Sequence, residues 1–171
     1  MKTCSFFGHR DTPQTKELKE KVREIVERLI LEENIDTFLF GSRSKFDELC
    51  HIVVTELKEK YPHIRRIAYL CKHESGCLVG AGMSLRKQFK EITGRDAYVA
   101  EYEEIKRSDR VDLAGRASYV ERNQWLINDS DVCLFCSELI MDRCKQGVRS
   151  GTISAYQCAN KHRKIIKFIV D

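Results

Sequence analysis

Residues 122–159, RNQWLINDSDVCLFCSELIMDRCKQGVRSGTISAYQCA, decide the fold, because a helical pattern, a short apolar run, a polar connection and a second helix start follow one another there. Val132–Phe135 is apolar throughout and follows Asp129, Ser130 and Asp131, as expected of a short strand buried on both faces. After it the chain reads as a loop that closes at Ser150-Gly151-Thr152. Residues 153–161 then read as a helix, whose Ala155 and Ala159 are small enough to let it lie close on a sheet. Glycine at such a junction lets backbone N–H groups approach a ligand, and the first helical turn carries partial positive charge and unsatisfied donors. Together these features predict an anion site. A lone Ser-Gly-Thr also suits a tight turn with a serine N-cap, so the rest of the chain has to decide between the two.

The composition supports an ordinary globular chain. With 171 residues, 42% hydrophobic and 33% charged, residues 1–171 are expected to form one domain with a sizeable core. No apolar run approaches the ~18 residues of a membrane helix, and Gly8-His9-Arg10 comes too early for a signal peptide; a cytoplasmic protein with no membrane contact is expected. The eight cysteines are scattered through predicted strands and helices and read as reduced thiols. Cys133 and Cys136 have a chelating spacing, but on a strand such positions point to opposite faces, so no metal site is expected and both read as small buried hydrophobes. The net charge is +4, and basic residues alternate with acidic ones, as in KELKEKVREIVER. That is a solvated helix face rather than a stripe for nucleic acid, which is not the expected partner.

Strand and helix patterns alternate along the chain. Thr3–Phe7 reads as a strand ending at Gly8-His9-Arg10, and Pro13 opens a helix with Leu18, Val22, Ile25, Val26, Leu29 and Ile30 at helical spacing. Thr37–Phe40 repeats the pattern and ends at Gly41-Ser42-Arg43. Ser44-x-x-Asp47 then caps a helix that buries Phe46, Leu49, Cys50, Val53, Val54 and Leu57. A third strand is predicted over residues 64–71, with Arg65 and Arg66 at its exposed start. A short helix over 85–92 and a strand over 97–101 follow, the segment 72–82 resisting assignment; Gly80-x-Gly82 reads as loop rather than phosphate cradle. The charged residues 101–112 read as a surface loop that could serve as a lid. A helix from about Ala117, with Tyr119, Leu126 and Ile127 inward, leads to the Val132 strand, and residues 164–170 form the last strand.

This order predicts a three-layer α/β domain, Rossmann-like, with a mainly parallel sheet. Right-handed crossovers place the first strand centrally, between the second strand and the Val132 strand, which brings Gly8 to Arg10 beside Ser137 and Gly151. Two strands end in glycine followed within two residues by arginine, and ligands of open parallel sheets bind at those carboxyl ends. Arg10 and Arg43 could each grip a phosphate or carboxylate there with paired hydrogen bonds.

The opening CSFFGHR, the stretch FLFGSRSKFDELC, the block YVERNQWLINDSDVCLF and the SGT turn together resemble the SLOG superfamily of Rossmann-like proteins, most closely its small YpsA-like members. The resemblance spans nearly the whole chain apart from residues 72–97. The same superfamily contains the lonely-guy phosphoribohydrolases, and Arg122, Leu126, Ser130-Asp131 and Gly151-Thr152 fall on their pattern in order. It implies that Gly151 and Thr152 hold a phosphate and that Arg122 reaches phosphate or ribose. Asn123, however, replaces the pattern's lysine, and Ala155 stands where those hydrolases carry their catalytic glutamate. Cleaving an N-glycosidic bond needs a carboxylate, which alanine cannot supply.

The favoured expectation is therefore a binding module for a nucleotide or nucleotide-derived ligand such as ADP-ribose or NAD, acting as a sensor or sequestering protein. Gly8, Gly41 and Gly151 would allow close backbone approach, Arg10, Arg43 and Arg122 would neutralise phosphates, and Ser42, Ser150 and Thr152 would add hydroxyls; His9 could bond ribose or phosphate. No cofactor is required by this reading. One alternative is a phosphoribohydrolase-like enzyme using another carboxylate, with Glu121, Glu138 and Asp142 nearest in sequence. A second, suggested by the superfamily's link to DprA, is a single-stranded nucleic-acid binder, which the modest charge disfavours. A homodimer stays open, since related proteins pair. Neither Arg122 nor Gly151 is expected to fill the core.

Overall fold

The computed structural model describes residues 1–41, 44–70, 101–107 and 116–169. The expectations for Ser42, Arg43 and residues 72–97, including the short helix over 85–92 and Gly80-x-Gly82, lie outside them, as do most of the expected 97–101 strand and half of the expected lid. Six strands are described: β1 (Thr3–Phe7), β2 (Thr37–Phe40), β3 (Arg65–Leu70), β4 (Glu104–Arg107), β5 (Val132–Phe135) and β6 (Ile165–Phe168). They form one wholly parallel sheet in the order β4-β3-β2-β1-β5-β6. Five helices accompany them: α1 (Lys16–Glu32), α2 (Lys45–Lys60), α3 (Arg116–Asn128), α4 (Leu139–Lys145) and α5 (Gly151–Lys161). The three-layer α/β Rossmann-like expectation holds, and β1 sits between β2 and β5 as the crossover argument requires.

Period-two alternation assigns each strand residue to a layer. Phe6 stacks on both Phe38 and Phe40 beneath α2, with Phe40 edge-on to His51. On the other face Phe7 stacks on Phe135, which meets Tyr156 of α5, and Tyr69 meets Trp125 of α3 at 4.6 Å. Each fully buried phenylalanine contributes roughly 2–3 kcal/mol, so these two aromatic layers hold the sheet between its helix pairs. Cys4 and Cys133 are fully buried within this core, as small hydrophobes.

Local chemistry sets the helix starts. Thr15, not Pro13, begins α1: its hydroxyl accepts from the Leu18 N–H, leaving Pro13 in the preceding turn. Ser44 caps α2 by accepting from the Asp47 N–H at 3.1 Å. Asp129, Ser130 and Asp131 do more than precede a strand. Ser130 Oγ donates to the Leu126 carbonyl at 2.6 Å and meets Ser5 Oγ at 2.8 Å, and the Asp131 carboxylate accepts from the Thr3 N–H at 2.8 Å. The Tyr69 hydroxyl donates to Asp129 at 2.6 Å. The end of α3 is thereby tied to β1 and β3 just where β5 begins.

Four further details differ from the sequence reading. Arg66 is no exposed strand start but is buried, donating to Glu103 at 2.7 Å and Thr55 at 2.9 Å, because the partner carboxylate comes from a segment distant in sequence. Residues 104–107, read as loop, form the outer strand β4, whose charges alternate at a half-exposed edge. The connection after β5 contains α4, whose single buried residue is Ile140, too little periodicity to announce a helix. Tyr119 is 40% exposed instead of inward. Among the described residues no helix is long and apolar enough to cross a membrane.

Candidate functional site

The strand order reverses at β1, and the chain leaves β1 and β5 towards opposite sides of the sheet there. Register places the expected site residues at that edge. Phe7 pairs with Phe135, so Gly8 stands level with Cys136; the β1–β2 register, Thr3 with Thr37, carried along the strands sets Gly41 level with Phe7. The Cys136 N–H closes the end of the ladder by donating to the Phe7 carbonyl at 3.0 Å.

Helix α5 begins against this edge. Ser150 is its N-cap, accepting from the Ile153 N–H at 3.1 Å, and Thr152 is buried with its hydroxyl donating to the Gly8 carbonyl at 3.1 Å. The first turn of α5 is therefore fastened directly to the exit of β1. A Cβ added at Gly151 would meet nothing within 4 Å among the described residues, so the backbone there borders open space. Among the described residues the Gly151 and Thr152 N–H groups have no hydrogen-bond partner, and the positive end of the helix borders that space.

The other two glycines serve the protein itself. A Cβ on Gly8 would lie 2.5 Å from the Phe46 ring and its Cβ, so the absence of a side chain lets the first turn of α2 settle onto β1. A Cβ on Gly41 would lie 2.7 Å from the Tyr69 carbonyl oxygen and 3.2 Å from Arg122 Cδ and Leu126 Cδ1. Gly41 is thus the seat for the Arg122 stem. That arginine is only 4% exposed, and its guanidinium carbon lies 5.1 Å over the Tyr119 ring. The expectation that Arg122 does not fill the core is corrected: its aliphatic part is packed between α3 and the sheet. The next residue, Asn123, has a buried side-chain oxygen with no hydrogen-bond partner among the described residues.

At the β1 exit the chain turns sharply, the Thr12 hydroxyl and N–H both donating to the His9 carbonyl, and the Lys45 N–H donates to the Arg10 carbonyl at 3.0 Å. Arg10 itself is exposed. Burial, reinforced by the Arg143 charge, pushes the His9 imidazole below its ordinary range. Arg143 lies 3.3 Å from His9 Nε2 and comes from α4, the helix that the sequence reading took for loop. Burial pushes the Cys133 thiol up to about 11 and raises Cys136 as well, so neither is a ready nucleophile at neutral pH.

The structure thus brings Gly8, His9, Ser150, Gly151 and Thr152 together and joins Gly41 to Arg122 one strand away. Of the alternative carboxylates, Asp142 lies 3.5 Å from Lys145 on α4, while Glu138 lines a different hollow. That hollow, of about 510 Å³, lies between α1 and β6 and is bordered by Lys21, Arg28, Glu24, Glu32 and Lys167. It is lined by charges of both signs, so the carboxyl edge, where a helix amino end meets the strand exits, is the better candidate. The chain matches no model of a known protein family, and no curated protein matches it.

Proposed function

We propose that this chain is a SLOG-type protein that binds the phosphate of a nucleotide-derived ligand, of the ADP-ribose or NAD kind, at the carboxyl edge of β1, β2 and β5. The observation that carries the reading is the 3.1 Å bond from Thr152 to the Gly8 carbonyl, which holds the amino end of α5 over the strand-order reversal with open space beside Gly151. The buried Asn123 oxygen supports it. An unmet acceptor costs roughly 1–3 kcal/mol, and a ribose hydroxyl or a base amine would supply the missing donor. Arg122 adds a cation rooted between α3 and the sheet.

Binding is preferred to turnover because Ala155, where a hydrolase of this type would carry its glutamate, is 2% exposed and packed in the core. Isothermal titration with AMP, ADP-ribose and NAD tests the reading, alongside chromatography of the same mixtures after incubation. Saturable binding with intact nucleotide is the expected result. Released base or ribose phosphate would replace the binding role with a hydrolytic one, and the absence of binding to all three would remove the site.

A further inference from the structure

Helix α4 brings to the carboxyl edge a cation that the phosphate reading does not use. Arg143 Nη1 lies 3.3 Å from His9 Nε2. A guanidinium has donors only, so the imidazole nitrogen facing it accepts, which fixes His9 as the neutral ring with its proton on Nδ1. Among the described residues no carboxylate lies in ion-pair range of Arg143; the neighbouring Asp142 is 3.5 Å from Lys145 instead. The side chain is exposed, and with one donor turned to His9 the others remain for a partner from solution. His9 directly follows Gly8, whose carbonyl receives the Thr152 hydroxyl, so the two anion-directed features are anchored on adjacent residues.

We propose that Arg143, held by His9, is the grip for a second phosphate, so that the site is built for a pyrophosphate, as in a nucleoside diphosphate or a dinucleotide, rather than for a monophosphate. This rests on the nucleotide reading of the same edge. The amino end of α5 takes one phosphate, and the Arg143 fork takes the other with two parallel hydrogen bonds. His9 is a positioning residue, keeping the guanidinium at the mouth of the site.

The test is calorimetric titration of the wild-type protein, Arg143→Ala and His9→Ala with AMP and ADP as probes. Wild type binds ADP more tightly than AMP. Loss of a charge-assisted contact lowers the ADP affinity of Arg143→Ala by about tenfold or more and leaves AMP within about twofold. His9→Ala loses part of the same preference, because the guanidinium is no longer held. Equal loss for both nucleotides in Arg143→Ala, or no loss for either, overturns the second-phosphate role while leaving the phosphate site standing. Failure of the wild type to bind either nucleotide overturns both.

Discussion

Thr152 and Gly8 are 144 positions apart in sequence and joined by a hydrogen bond of 3.1 Å from hydroxyl to carbonyl. The bond makes the placement of α5 a property of β1. Thr152→Val keeps the shape of the side chain and removes the donor, leaving the Gly8 carbonyl without this partner. A stability loss of about 1 kcal/mol is expected, read as a lower urea midpoint with an unchanged slope. Nucleotide affinity falls with it; unchanged affinity would separate the bond from the site.

Gly151 separates stability from binding. It is the first residue of α5 with open space at its Cβ position, so Gly151→Ala is expected to stabilise the free protein by about 0.5–1 kcal/mol through helix propensity and reduced unfolded-state entropy. Gly151→Val should leave the fold intact while its branched side chain occupies the phosphate's position and cuts affinity by about tenfold or more. Thermal melts paired with calorimetry check both halves. A valine variant that binds as well as wild type would move the ligand elsewhere.

Arg122 calls for a different substitution. Its stem rests on Gly41, so Arg122→Ala opens a gap and loses stability along with binding. Arg122→Met keeps most of that packing and removes the charge. The methionine variant is expected within about 1.5 kcal/mol of wild type, with nucleotide affinity reduced by about tenfold. Gly41→Ala should cost roughly 1–3 kcal/mol, because backbone at 2.7 Å cannot yield as a side chain can. Comparing Gly41→Ala with and without Arg122→Met by chemical denaturation measures the coupling between the two positions.

Acid should weaken the fold through His51. Burial is the main cause that lowers its pKa to about 4, with the ring held between the Glu101 carbonyl at 2.8 Å and the Thr55 hydroxyl at 3.3 Å. The unfolded chain takes up this proton near pH 6.5 and the folded chain only near 4, so the unfolded state binds more protons in that window and stability drops as pH falls through it. The full loss is about 3 kcal/mol. Denaturation at pH 7 and pH 4.5 should show most of it, and His51→Gln should flatten the slope between them. An unchanged slope in that variant assigns the acid sensitivity to other groups.

Much of this architecture was legible from periodicity. The buried runs of β1, β2 and β5 and the apolar spacings of α1 and α2 each have one physical solution, and the handedness of crossovers then fixes β1 between β2 and β5. The Ser150-Gly151-Thr152 junction and the helix after it were readable from residue type, although the helix begins at Gly151 rather than at Ile153, with Ser150 as its cap. What escaped depends on distant partners. Arg66 looks like a surface residue until Glu103 is beside it, and Gly8 and Gly41 look like ligand-facing turns until Phe46 and Arg122 are seen to occupy the space. Helix α4 escaped because one buried isoleucine makes no period, and Arg143 escaped with it.

Among the described strands β4 is outermost on its side, and its parallel ladder with β3 is reinforced by charge. β4 offers Ile105 to solvent at 43% exposure, and its seam with β3 depends on Arg66 and Glu103, with Lys58 3.6 Å from the same carboxylate. Protonating Glu103, whose carboxyl the Arg66 bonds hold below its ordinary range despite its burial, loosens that seam after the charging of His51 has already weakened the fold, and ionic screening of its exposed parts does so more weakly. Peeling it back bares the β3 backbone, and the run Ile67-Ala68-Tyr69-Leu70 becomes a template for pairing with another chain. Aggregation in strong acid is the expected consequence of reinforcing one margin of the sheet with ion pairs.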